Sequence, residues 1–384
     1  AVIDRYEETC RAWRWQVPAR FNIAEVCCRR HVGADRVALY WEDEAGATAR
    51  YTFDRLQADA NRLANALAAL GVARGDRIAI VLPQRPETVI AHLACYQLGA
   101  VAMPLSVLFG PDALEYRLQN SEAVVAIVDP QSIEAIAEIA PRTPSLGHVI
   151  GVAGARSAAS HDFEALLARA ADSFTPAGTG PRDPAVLVYT SGTTGPPKGA
   201  LMPHQALIGN LPGFVYSHDD FPQGDDLFWS PADWAWTGGL MDALLPTLYF
   251  GRTIVGYRGR FDPERAFDLI ARHRVRNTFL FPTALKMMMK SVPDPRRDYA
   301  VALRTIMSGG ESLGETVFDW CASALGVTVN EIFGQTEVNY IVGNCARLYP
   351  ARPGSMGKGY PGHRVAVIDE QGRACADGVV GEVA

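Results

Sequence analysis

The chain has 384 residues, a formal charge of −6 at pH 7, 48% hydrophobic and 20% charged residues. That length exceeds one ordinary core and implies two or three packed subdomains of a globular protein. The acidic balance argues against a broad nucleic-acid footprint, and no apolar run reaches the roughly 18 to 20 residues of a membrane span.

The first fifty residues give mixed signals, with a strand predicted over 37–41. A helix follows, with Asp54 as its cap and Leu56, Ala60, Leu63, Leu67 and Leu70 on one face, stopped by Gly71. Strands are predicted over 77–82, 101–105, 124–128 and 148–152, with helices over 87–98, 113–119 and 133–139. Alternation of this kind predicts a mostly parallel sheet with helices on its faces. The Pro- and Gly-rich stretch 175–184 is the predicted boundary between subdomains of about 1–180 and 181–345. Beyond it, strands are predicted over 185–189, 227–230, 252–255, 278–281, 303–307 and 327–332, and helices over 236–250, 283–290 and from about 311 to 325. Asp262-Pro263-Glu264 supplies an N-cap, a first-turn proline and an acid at the positive end of another helix. From 346 on the character changes, and 364–368 and 378–383 around Asp369-Glu370-Gln371-Gly372 predict a small antiparallel hairpin. The fold class expected is therefore α/β: two packed, mostly parallel sheets with flanking helices plus a small antiparallel β unit.

Seven cysteines without a CxxC pair predict reduced thiols of a cytoplasmic protein, with Cys95 and Cys321 in the core. Eight histidines form no HExxH or close HxH pair, which argues against a zinc site. No secretory signal is visible at Ala1.

The string Thr190-Ser191-Gly192-Thr193-Thr194-Gly195-Pro196-Pro197-Lys198-Gly199 follows the predicted strand 185–189, and a helix is predicted after it from about 204 to 211. Glycines let backbone N–H groups approach phosphate oxygens, hydroxyls donate further bonds, and one lysine adds a mobile charge. Two residues separate Gly192 from Gly195 and two more precede Lys198, whereas a Walker loop has four between its glycines and lysine directly after the second. A kinase-like P-loop is disfavoured by this spacing. Two further polar segments also follow predicted strands: Gly309-Gly310-Glu311-Ser312 and Phe333-Gly334-Gln335-Thr336-Glu337. Ligands of open α/β sheets sit beyond the carboxyl ends of strands, so the three could converge.

The ten-residue string resembles the signature loop of the adenylate-forming superfamily, which includes acyl- and aryl-CoA synthetases, nonribosomal peptide adenylation domains and firefly-type luciferases. Phe333-Gly334-Gln335-Thr336-Glu337 is similar to its aromatic-Gly-Gln-Thr-Glu motif, and Gly310-Glu311-Ser312 to its adenine-wall segment. Ala232-Asp233-Trp234-Ala235-Trp236-Thr237-Gly238-Gly239 resembles the segment that lines acyl and CoA sites in the acyl-CoA synthetase branch. The resemblance spans residues 20 to 384 and implies the large N-terminal lobe of an AMP-forming acyl-CoA ligase. It leans toward the acetyl-CoA-synthetase-like and medium-chain branch.

The resemblance also implies roles. Thr190 to Lys198 would hold the β- and γ-phosphates of ATP, with Lys198 catalytic. Gly310, Glu311 and Ser312 would face adenine, with Glu331, Ile332, Phe333 and Gly334 on its other side. Gln335 belongs to the same nucleotide set, Thr336 would bond the α-phosphate, and Glu337 would ligate Mg²⁺. Trp236, Thr237, Gly238 and Gly334 would line the acid. Trp234 and Trp236 serve either this pocket or core packing, and His204 is expected to pack rather than catalyse. Acetate-specific relatives place tryptophan at the position of Gly334, so glycine implies a medium-chain, branched or aromatic acid instead of acetate. The partners implied are that acid, ATP and CoA. The alternative is an adenylation domain that loads a carrier protein. The family's smaller C-terminal lobe, with its ribose-binding aspartate and essential lysine, is not found in these residues. A 1–384 fragment is therefore expected to be impaired in adenylation.

Overall fold

The computed structural model describes residues 4–190 and 195–384. Among them are a nine-stranded sheet, a seven-stranded sheet and a separate two-stranded pair. The seven-stranded sheet runs through His161–Asp162, His148–Gly151, Val125–Val128, Arg77–Val81, Val101–Pro104, Pro184–Thr190 and Lys198–Pro203. The nine-stranded sheet runs through Lys358–Gly359, Asn339–Gly343, Val329–Gln335, Thr305–Gly309, Asn277–Phe279, Leu227–Trp229, Thr253–Arg258, Val37–Asp43 and Thr48–Thr52. Inner pairs are parallel except Val329–Gln335 with Asn339–Gly343, and antiparallel pairs close three of the two sheets' four edges. The central strands are buried almost throughout, as expected where helices cover both faces. Val367–Ile368 and Glu382–Val383 form the predicted small antiparallel unit.

Neither sheet follows chain order. The Val37–Thr52 hairpin joins the nine-stranded sheet, while the Pro184–Pro203 hairpin edges the seven-stranded one. One apolar core binds them, with Ile78, Ile80 and Val186 from one sheet and Leu39, Phe228, Ile254 and Met307 from the other. Helix Pro86–Leu98 sits inside that core, so its sides are apolar nearly all round; Gly99 ends it with φ +74°.

Three local expectations are corrected. Helix Phe53–Ala69 is capped by Thr52, whose hydroxyl accepts from Arg55 N, while Asp54 accepts from Gly33 N instead. The apolar stretch predicted as one helix over 236–250 contains a π turn at Leu240–Leu244, between α segments Thr237–Gly239 and Leu245–Tyr249. And Lys198 begins a strand, Lys198–Pro203, before the helix Ala206–Ser217 starts. The phosphate loop thus joins two antiparallel strands, and no helix N-terminus lies directly behind it.

His204 is buried as expected of a packing residue. Its Nδ1 accepts from Ile23 N at 3.1 Å and its Nε2 has no partner. Burial pulls its pKa down from 6.5 to about 4. Above pH 6.5 the imidazole is neutral in both folded and unfolded chains. Below it the unfolded chain takes up a proton that the fold refuses, so stability falls until about pH 4, by roughly 3 kcal/mol in all. Denaturant melts are expected to show that loss in the wild type and a shallower one in His204→Gln; equal slopes would assign the loss elsewhere.

Candidate active site

Strands Thr305–Gly309 and Val329–Gln335 are parallel neighbours, with Ser308 opposite Glu331 and Gly309 opposite Ile332. Two of the three polar segments therefore leave the sheet side by side. Gly309 is packed so closely that a Cβ would lie 2.8 Å from the Ile332 carbonyl oxygen, and Gly310 turns the chain with φ +91°. Glu331, only 6% exposed, braces this turn: its Oε1 accepts from Leu313 N at 3.2 Å, and its enclosed Oε2 has no partner. That bond ties the second segment to the third. Thr283 donates to Glu311 Oε1 at 2.6 Å, while Ser312 is exposed.

Residues Phe333, Gly334 and Gln335, expected in a turn after the strand, belong to the strand itself. The turn is Thr336–Val338, closed by Val338 N donating to Gln335 O, and it leaves Glu337 exposed and Thr336 half-buried.

The acyl-type segment leaves strand Leu227–Trp229, separated from Thr305–Gly309 by Asn277–Phe279. Asp233 holds its bend: Oδ1 accepts from Ala235 N and Oδ2 from the Ser106 hydroxyl, both at 3.0 Å. Burial raises the Asp233 carboxyl above the usual carboxylate range. The two tryptophans divide: Trp234 is core, whereas Trp236 is 40% exposed and meets Phe109 edge-on with centroids 5.7 Å apart. A Cβ on Gly238 would lie 3.0 Å from the Phe279 ring and 3.5 Å from Phe281, and one on Gly310 would lie 3.5 Å from Phe281. Phe281 thus stands between the acyl-type and adenine-type segments. Ser106, Phe109, Phe281 and Thr283 were not singled out from sequence, because their loops join the site only through sheet order.

The phosphate loop belongs to the other sheet. Thr190 and Lys198 are paired across the mouth of its hairpin. Ser191, Gly192, Thr193 and Thr194 lie outside the described residues. Gly195, Pro196 and Lys198 are exposed, and the Pro197 carbonyl accepts from the Tyr116 hydroxyl at 2.9 Å, anchoring the loop's far end. Lys198 makes no ion pair among the described residues.

Gly334, expected to line the acid, is closely packed. A Cβ there would fall 2.0 Å from the Asn339 carbonyl oxygen and 2.5 Å from Tyr340 Cα. The space a side chain would fill holds the backbone of the next strand, at a register shift between Phe333 and Gly334. The glycine meets a packing demand.

Residues 26–384 match the family described as AMP-binding enzyme. The chain is 32% identical over 369 residues to the uncharacterized acyl-CoA ligase YtcI of Bacillus subtilis, covering 96% of this chain and 68% of that protein. It is 30% identical over 390 residues to the acetyl-coenzyme A synthetase of the same organism, covering 96% and 67%. The crystal structure of Brucella canis acyl-CoA synthetase superposes with a TM-score of 0.91 at 30% identity, covering 99% of this chain and 71% of that one. The chain thus spans about two thirds of the length of these relatives. Family match, relatives and shared fold agree, and the chain belongs to the AMP-binding enzymes, among the acyl-CoA synthetases.

Proposed function

We propose that the protein activates a carboxylic acid with ATP, releasing pyrophosphate, and passes the acyl group to CoA, releasing AMP. The observation that bears most weight is the register of Thr305–Gly309 on Val329–Gln335: the adenine-type and Gln-Thr-Glu segments leave adjacent parallel strands, and Phe281 packs between Gly310 and the acyl-type Gly238.

In the first half-reaction a carboxylate oxygen attacks the α-phosphorus, that P–O bond forms, and the bond to the β-phosphate oxygen breaks. Both reactants are anions, so this chain's task is to hold them in line and to offset charge. Lys198 and the loop's backbone donors would face the β- and γ-phosphates, and the Thr336 hydroxyl the α-phosphate. Among the described residues no group of three His, Cys, Asp or Glu could hold a metal. A lone exposed carboxylate, Glu337, fits Mg²⁺, which keeps water and phosphate oxygens as its other ligands. Bound there, the ion would neutralise phosphate charge. In the second half-reaction the CoA thiol sulfur attacks the acyl carbon and AMP departs with the bonding electrons.

The aromatic rings support a large acid. Phe279, Phe281, Trp236 and Phe109 gather around the acyl-type segment, a lining suited to a medium-chain, branched or aromatic body. The seven free cysteines support a reducing, cytoplasmic setting. The test is AMP formation across a panel of acids. AMP is expected only with both acid and CoA for turnover. Formation of ADP would refute the reading, and acyl transfer to a carrier-protein thiol but not to CoA would favour the carrier-loading alternative.

A further inference from the structure

We infer that Asp242 determines acid specificity, by selecting a carboxylic acid whose far end bears a hydrogen-bonding amino or hydroxyl group. This rests on the ligase reading above and adds to it a substrate class.

Asp242 lies four residues beyond Gly238 in the same helical stretch, beside Asn210, Asn339 and Tyr340. It sits in the π turn Leu240–Leu244, and such turns are rare and frequent at functional sites. The carboxyl is 5% exposed, and its Oδ1 is enclosed with no hydrogen-bond partner. Two amides flank it, and each also makes a bond of its own. The Asn339 amide donates to the Asn210 side-chain oxygen, and the Asn210 amide donates to the Met241 carbonyl. The Tyr340 hydroxyl, in the same cluster, is enclosed and likewise has no partner.

A buried donor and a buried acceptor that both stand unpaired are costly unless a third group completes them. This pair adjoins the site: Asn339 is two residues past Glu337, and its carbonyl oxygen is the atom packed against Gly334. Burial also holds the Asp242 carboxyl well above the usual carboxylate range. A hydroxyl or amino group at the tail of the acid would satisfy Asp242 Oδ1 and the Tyr340 hydroxyl together. A purely hydrocarbon tail would leave both unpaired, and sites built to bond a substrate hydroxyl reject the analogue lacking it strongly.

The experiment compares matched acids under adenylate-forming conditions, read by pyrophosphate release: benzoate against 3- and 4-hydroxybenzoate and 3- and 4-aminobenzoate, and butanoate against 4-hydroxybutanoate. The wild type is expected to favour a donor-bearing member by about 100-fold or more in kcat/KM. Asp242→Leu is expected to erase or reverse that ratio through the KM for the acid, with the KM for ATP unchanged. Asp242→Asn should retain part of it. Should the leucine variant fail to fold, Tyr340→Phe removes a single hydroxyl and is expected to reduce the ratio as well. Equal use of both members by the wild type, or a ratio unmoved in the folded variants, would overturn the inference and show a structural cluster. Absence of adenylate with every acid, from a protein that carries both lobes, would instead sink the ligase reading.

Discussion

Substituting alanine or tryptophan for Gly334 is expected to destabilise the protein severely and not to retune its acid. A Cβ would stand 2.0 Å from the Asn339 oxygen and 2.5 Å from that residue's carbonyl carbon, both backbone atoms. That backbone has little freedom to retreat. Gly334 pairs with Tyr340 and Gln335 with Asn339, and the Asn339 backbone already adopts φ +54°. Tyr340 is buried, its ring lies where Gly213 has no room for a Cβ, and it meets Tyr360 edge-on. Ordinary overpacking costs about 1 to 3 kcal/mol. A clash with fixed backbone should reach the upper end for alanine and exceed it for tryptophan. Thermal melts of the variants, with ATP binding as a second readout, check this. A well-folded Gly334→Trp protein that has become selective for acetate would show that the position faces the acid after all.

That same glycine shows where a sequence stops speaking. The motif around it is legible because its residue types are unusual together. Its local geometry is not, because Asn339 reaches it through antiparallel pairing, which no single-strand pattern encodes. The contrast holds for the fold. Strand Val125–Val128 and helix Pro263–Arg272 follow from short-range signals, an apolar run in one case and an Asp-Pro-Glu start in the other. Sheet membership does not: Val37–Asp43 pairs with Thr253–Arg258, over two hundred positions away. Lys198–Pro203 was missed as a strand because a lysine, a glycine and a proline occupy half of its six positions. At the site, Lys198, Thr336 and Glu337 came from motif resemblance, whereas Phe281 and Asp242 needed the sheet order and the π turn. The centre of the phosphate loop, Ser191 to Thr194, is legible in the sequence alone.

Glu337→Gln is expected to lower adenylate formation by about 10²- to 10³-fold, the usual penalty for deleting one preorganised electrostatic contact to a transition state. The side chain is exposed in the Thr336–Val338 turn, so the fold should lose no more than about 0.5 kcal/mol. The loss is specific to the reaction because the described residues offer no group of three acidic, thiol or imidazole ligands, so most of a cation's coordination there would come from the nucleotide and water. Mg²⁺ should therefore bind weakly to the free protein and tightly only with ATP, which the variant would weaken. Pyrophosphate release measured over a Mg²⁺ titration tests both halves. The variant is expected to need more Mg²⁺ and still to fall short at saturation, whereas a chelator should abolish turnover in both proteins. A variant with the wild-type rate and wild-type Mg²⁺ dependence would remove Glu337 from the chemistry, leaving the Gln-Thr-Glu segment a structural turn.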